Sequence, residues 1–156
     1  MLFFIMKGII IMTNEQFWKK LDKITGKQQT AERTREFVEI LKQGYYQGLD
    51  ILILGVENAN DTFNQNCVLE GNNRIMLYFT SRKHAENNTI TVPAIVIAKP
   101  KCIQADCRTV IDNALNKDNV EAIAFNYDSK YPYIIPKILL LIAFAMDADR
   151  FGMLEE

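Results

Sequence analysis

His84 is the only histidine in the chain, three residues after Ser81 in the run RIMLYFTSRKHAE that begins at Arg74. A hydroxyl, an imidazole and a carboxylate such as Asp128 are the inventory of a nucleophilic triad, and triads assemble in space whatever their order in sequence. The local context is plainer. No G-x-S-x-G elbow frames Ser81, so nothing in the run places its hydroxyl on a strained, exposed turn. A strand passing into a helix makes Thr80 or Ser81 an N-cap that accepts from the free N–H groups of the first turn. Arg82, Lys83 and His84 add positive charge at that helix start, where an anion can bind. Without a glycine-rich loop there is no phosphate cradle, and the expectation is a cap with solvated basic residues. No catalytic residue is assigned.

Metal and redox chemistry find equally little support. Glu57, Asn60 and Asp61 offer oxygens within the polar run ENANDTFNQ, but the D-x-[DN]-x-[DN]-G calcium pattern is absent. Cys102 and Cys107 are five apart, which is neither C-x-x-C nor a good helical pair. Neither a metal nor a cofactor is expected. Three cysteines without framework spacing suggest a reducing, cytoplasmic compartment.

The elements that position these residues follow from periodicity. Thr13 or Asn14 starts a first helix carrying Phe17, Trp18, Leu21 and Ile24 at helical spacing, and Gly26 ends it. A second helix is expected over 30–43, with Gly44 as its C-cap and the pair Tyr45-Tyr46 as a packing bridge. Strands follow at 49–56, 66–70 and 74–79, the last two joined by a turn at Gly71-Asn72-Asn73. After the capped helix, Asn87-Asn88 reads as a turn and 92–98 as a strand with Pro93 near its start. Ile103, Cys107, Val110, Ile111, Ala114 and Leu115 form one stripe, predicting a helix over 103–116 with Cys107 in the core and Asp106 and Asp112 outward. A covered strand at 120–126, the polar turn Asn126-Tyr127-Asp128-Ser129-Lys130 and a short edge strand at 131–135 come next. Pro136 suits a first helical turn. The helix over 136–149 has nine apolar residues in succession from Ile138. A helix apolar on nearly every face must be covered. It is expected between the sheet and the N-terminal helices, with a subunit interface, hence a homodimer, as the alternative.

Composition bounds the function. The chain has 156 residues, 49% hydrophobic and 24% charged, with net charge −1. That is one ordinary globular domain. Basic residues are scattered among acidic ones, so neither nucleic acid nor a membrane surface is expected as a partner. Residues 1–11, MLFFIMKGIII, lack the basic flank and cleavage site of a signal peptide and are too short to span a bilayer. The expected explanation is that translation starts at Met12, Lys7-Gly8 being codable by a purine-rich ribosome-binding site. An apolar arm is the alternative, and 12–156 forms the domain.

The succession of strand, Phe79-Thr80-Ser81, helix, strand, amphipathic helix, a V-x-x-I-x-x-N strand-turn, I-x-P and a Leu-rich helix resembles the SseB N-terminal domain family of bacteria. The resemblance covers about residues 30–145 and is best over 74–141. Tyr127 departs from it, since the family usually has proline after the asparagine. The resemblance implies an α/β (α+β) fold with no assigned catalytic set, and related domains sometimes occur near secretion or toxin systems.

The fold expected is therefore a single α/β domain, with a mixed sheet of about five or six strands flanked by helices. The function expected is a non-catalytic cytoplasmic protein that binds another, unidentified protein. Its candidate surface comprises Thr80, Ser81, Asn126, Tyr127, Asp128, Lys130 and Tyr131, at strand ends where α/β loops carry function. An immunity-like inhibitor of a neighbouring toxin is the nearest alternative. An enzyme or small-molecule sensor around Ser81, His84 and Asp128 is the alternative of another class.

Overall fold

The computed structural model describes residues 11–57, 63–91 and 100–150. The middle of the expected polar loop, around Asn60 and Asp61, the strand expected at 92–98 and the segment 1–10 lie outside the described residues. In chain order the elements are α1 (Asn14–Thr25), α2 (Ala31–Tyr46), β1 (Asp50–Glu57), β2 (Phe63–Gln65), β3 (Cys67–Glu70), β4 (Asn73–Tyr78), α3 (Arg82–Thr91), β5 (Lys101–Asp106), α4 (Cys107–Asn116), β6 (Val120–Phe125), β7 (Tyr133–Pro136) and α5 (Lys137–Arg150).

The strands form two sheets, ordered β2-β1-β5 and β3-β4-β6-β7. Among the described strand pairs only β4 and β6 run parallel. The sheets meet at Asn66, whose N–H donates to Leu54 O at 2.7 Å while its carbonyl accepts from Leu77 N at 3.4 Å. A bridge between Leu52 and Phe79 makes a second link. Two apolar layers follow from strand alternation. Ile51 and Ile53 of β1 share a core with Met76, Tyr78, Ile123, Phe125, Tyr133 and Ile135 and with α1, α2, α4 and α5. Leu52 and Leu54 face the other way, with Ile75, Leu77, Ala122 and Ala124, toward Ala85 of α3. The fold is α/β, with four helices on one face.

Local chemistry sets the ends of the elements. Thr13 and Gln16 form a reciprocal capping box on α1, and Gly26 closes that helix. Helix α2 starts after Thr30 as expected but runs past Gly44 to Tyr46. Gly44 is no cap. A Cβ there would stand 2.1 Å from Phe17 Cζ, so glycine is what lets α1 and α2 close on each other. Asn87-Asn88 does not turn the chain, since both residues lie inside α3.

The stripe predicted as a helix from Ile103 is split. Residues 101–106 pair with the first six residues of β1, from Asp50↔Asp106 to Gly55↔Lys101, and the helix begins at Cys107. Asp106 is its N-cap, accepting from Thr109 N at 3.0 Å and Thr109 Oγ1 at 2.7 Å. Those bonds hold its carboxyl below its ordinary pKa, the hydroxyl bond contributing most. Asp112 is not simply solvated, because its carboxylate accepts from Tyr45 OH at 2.5 Å. Cys107 is buried as expected, and burial pushes its thiol up to about 12. Pro136 ends β7 and does not open α5. The side-chain amide of Gln29 pairs with both backbone groups of Ile134, donating to its O at 3.0 Å and accepting from its N at 3.1 Å, and so blunts that edge.

Candidate functional site

Two places concentrate unusual groups: the joint where β4 and β6 end, and the outer face of α5. At the joint, Asn126 follows β6 with φ +54°, a left-handed conformation that asparagine tolerates better than most residues. Its N–H donates to Tyr78 O at 2.9 Å, and its O accepts from Ser129 N at 2.9 Å. A proline at 127 would force residue 126 toward extended backbone, so Tyr127 suits the geometry of this turn. The Asn126 amide spans the joint. Its Oδ1 accepts from Thr80 N at 3.0 Å, and its Nδ2 donates to Thr80 Oγ1 at 2.8 Å and Thr25 Oγ1 at 3.0 Å. Thr80 Oγ1 donates in turn to Asp22 Oδ1 at 2.7 Å. One side chain thereby ties both strand ends to the end of α1.

His84 lies beside this latch. Its Nδ1 is 3.0 and 3.2 Å from the two Asp128 oxygens, and its Nε2 is 3.4 Å from Asp22 Oδ1. An ionised carboxylate can only accept, so the Asp128 contact places a proton on Nδ1. Ser81 Oγ accepts from the His84 backbone N–H at 3.2 Å, the geometry of the expected N-cap. Both ring nitrogens therefore face carboxylates, and the serine hydroxyl is engaged with the helix start.

Of the seven candidate surface residues, the structure brings Thr80, Ser81, Asn126 and Asp128 into one cluster but turns three of these inward. Thr80 is 3% exposed and Asn126 0%, and the Asp128 side chain is 4% exposed. They hold the joint together and present nothing to a partner. Tyr127 and Lys130 are exposed and Tyr131 half-buried, with Lys130 Nζ 5.3 Å from the Tyr131 ring centroid.

Helix α5 takes the expected place between the sheet and the N-terminal helices with one side only. Leu140 is buried, and Ala143 and Phe144 pack on the core, Phe144 against Tyr45 and Tyr46. The opposite side is open: Ile138 is 63% exposed, Leu139 40%, Leu141 41% and Ile142 52%. Among the described residues only one face of the helix is covered. Beside it runs a groove of about 540 Å³ between α2, β7 and α5, lined by Val38, Ile134, Pro136, Leu139, Ile142 and Ala143 together with the buried Lys42, and rimmed by Arg35 and Glu39. Sequence reasoning registered the apolar run but could not say which side the chain leaves bare.

A second cleft, of about 320 Å³, opens on the other flank of α2, between it and α1. Lys20, Lys23, Lys27 and Arg33 line it with Glu36, over Ile24 and Ile40. The signal in the sequence is Lys20 and Lys23 at i and i+3 on one helical face, with Lys27 just past the Gly26 cap; it is lost among the scattered charges.

No family model, curated protein or solved structure matches the chain. Among the described residues no helix is long and apolar enough to cross a membrane, and no group of three or more His, Cys, Asp or Glu residues could hold a metal ion.

Proposed function

We propose that this chain is a non-catalytic cytoplasmic module that binds another protein through the outer face of α5 and the adjoining α2–α5 groove. The observation that carries the reading is the row Ile138, Leu139, Leu141 and Ile142, four large aliphatics left in water within two helical turns. Covering such a side chain is worth roughly 1.5–3 kcal/mol, and contiguous apolar patches with a polar rim mark interaction sites. The groove supplies the concavity and the exposed Arg35 and Glu39 the rim. This is the layout used to seat an apolar helix face. Three free thiols support a reducing compartment. What supports kinship with the SseB N-terminal domains is local: Phe79-Thr80-Ser81 joins a strand to a helix start, as that resemblance implies.

The test is quantitative co-purification with the Ile138→Gln/Ile142→Gln double variant and with Tyr127→Ala. Partner recovery should fall by about tenfold or more in the first, equivalent to about 1.4 kcal/mol, and hold in the second. Equal recovery from the double variant would remove this surface from consideration. Sedimentation as a dimer that the double variant dissolves would identify the partner as a second copy.

A second reading has one observation in its favour, the line Asp128–His84–Asp22. A buried carboxylate orienting an imidazole is an arrangement that acid–base sites use. His84→Gln without loss of any measured activity or metabolite response would end it.

A further inference from the structure

We infer that the α1–α2 cleft is a binding site for a small phosphorylated organic molecule. This site stands on residues separate from the α5 face. Lys20 and Lys23 come from α1, Lys27 follows its end, and Arg33 faces them from the first half of α2. Among the described residues no carboxylate lies within ion-pair distance of Lys20, Lys23 or Lys27. The α1 C-terminus accounts for Lys23, which complements the helix dipole from the last turn. It does not account for Lys20, or for a guanidinium on the facing helix. Four cations sharing one cleft with a single acid, Glu36, repel one another. A multivalent anion relieves that repulsion and gains from each of them.

The cleft also has a fixed element and an apolar floor. Arg33 Nη1 donates to Gln28 O at 2.7 Å, which pins the guanidinium while other N–H groups of its fork remain. Beneath lie Ile24, 7% exposed, and the half-buried Ile40. At about 320 Å³, the space falls at the small end of the roughly 300–1,000 Å³ range of ligand sites. It suits one phosphate and a modest carbon skeleton. Phosphate chemistry suits the lysines and the arginine fork, the isoleucines receive the apolar part, and Glu36 can accept from a ligand hydroxyl or amine.

The test is an amide NMR titration of the full chain with inorganic phosphate and with phenyl phosphate, against sodium chloride at matched ionic strength. Both phosphates should give saturable shifts confined to residues 20–27 and 33–40. Phenyl phosphate should bind tighter by about fivefold or more, through the isoleucine floor. Lys23→Glu and, as a milder companion should that variant misfold, Lys20→Gln should each weaken binding, the first by about tenfold. Shifts that chloride reproduces, that never saturate, or that appear equally around Lys101 and Lys117 would overturn the site. Equal affinity for the two phosphates would overturn the organic class. Cosedimentation with phosphatidic acid vesicles, without response to phenyl phosphate, would reassign the cleft to a lipid surface and overturn the small-molecule reading.

Discussion

Around Asn126 the molecule buries polar side chains, and along α5 it leaves aliphatic ones in water. Both choices run against transfer free energies, and they differ in whether they are complete. The amide of Asn126 donates twice and accepts once inside the chain, so the cost of leaving water is met by hydrogen bonds within the fold. Ile138 and Ile142 have no such internal compensation. Removing them from water requires another surface. A closed polar cluster therefore marks architecture, and the open apolar row is the part that the proposed association rests on. Substitutions in the two regions should separate cleanly by their effect on stability.

The largest effect is expected from Asn126→Ala. It removes three side-chain hydrogen bonds, leaves the buried Thr80 N–H without its acceptor, and puts alanine at φ +54°. Urea unfolding should show a loss of about 3–4 kcal/mol, combining an unsatisfied buried donor with backbone strain. Asn126→Gly should recover about 1 kcal/mol of this by relieving the strain alone. A loss below about 1 kcal/mol for the alanine variant would mean that the cluster does not hold the joint together.

Thr80→Val comes next. The hydroxyl bridges Asn126 Nδ2 and Asp22 Oδ1, and losing it should cost about 1–2 kcal/mol. In combination with Asn126→Ala the costs should not add, because the two side chains share one network. Additivity in that cycle would show that they act separately.

How far all this was legible in the sequence follows the same division. Periodicity located α1 and α2, most strands and the core position of Cys107, because each depends on which face of its own element a residue takes. It failed where two periods overlap. Ile103 fits a helical stripe with Cys107, yet 101–106 forms a strand, since pairing along residues 50–55 of β1 outweighs local pattern. Gly44 resembles a cap until Phe17 is seen against it. The polar turn was placed on the surface because Thr80, Asn126 and Asp128 are polar, and their inward direction depends on Asp22, Thr25 and His84, which are distant in sequence. The apolar run of α5 is expected inside because nothing in a linear pattern reports which of its faces the other described elements leave uncovered.

Asp106 provides an intermediate case, a polar group that is exposed and still engaged. Asp106→Ala should cost about 1 kcal/mol at neutral pH, the usual worth of an N-cap. The fold depresses the pKa of this carboxyl. Its pH-linked contribution is therefore present above the unfolded value and lost as pH falls through the folded one. Unfolding of both proteins from pH 7 down to acid should show their difference shrinking below about pH 4, near the ordinary carboxyl range. A constant difference would mean that the carboxylate charge contributes nothing.

The smallest stability effect belongs to the face of α5, and it bears most directly on the contrast with Asn126. Ile138→Gln and Ile142→Gln remove side chains that are more than half exposed, and glutamine is at least as good a helix former as isoleucine. Each should change unfolding free energy by no more than about 0.5 kcal/mol, while reducing self-association and partner binding. Matched denaturation and sedimentation runs decide the matter. A loss of about 2 kcal/mol in dilute monomer would mean that these isoleucines are already covered within the chain, as part of its core. Unchanged stability with lost association would leave the row with one remaining role, as the surface the protein reserves for another molecule.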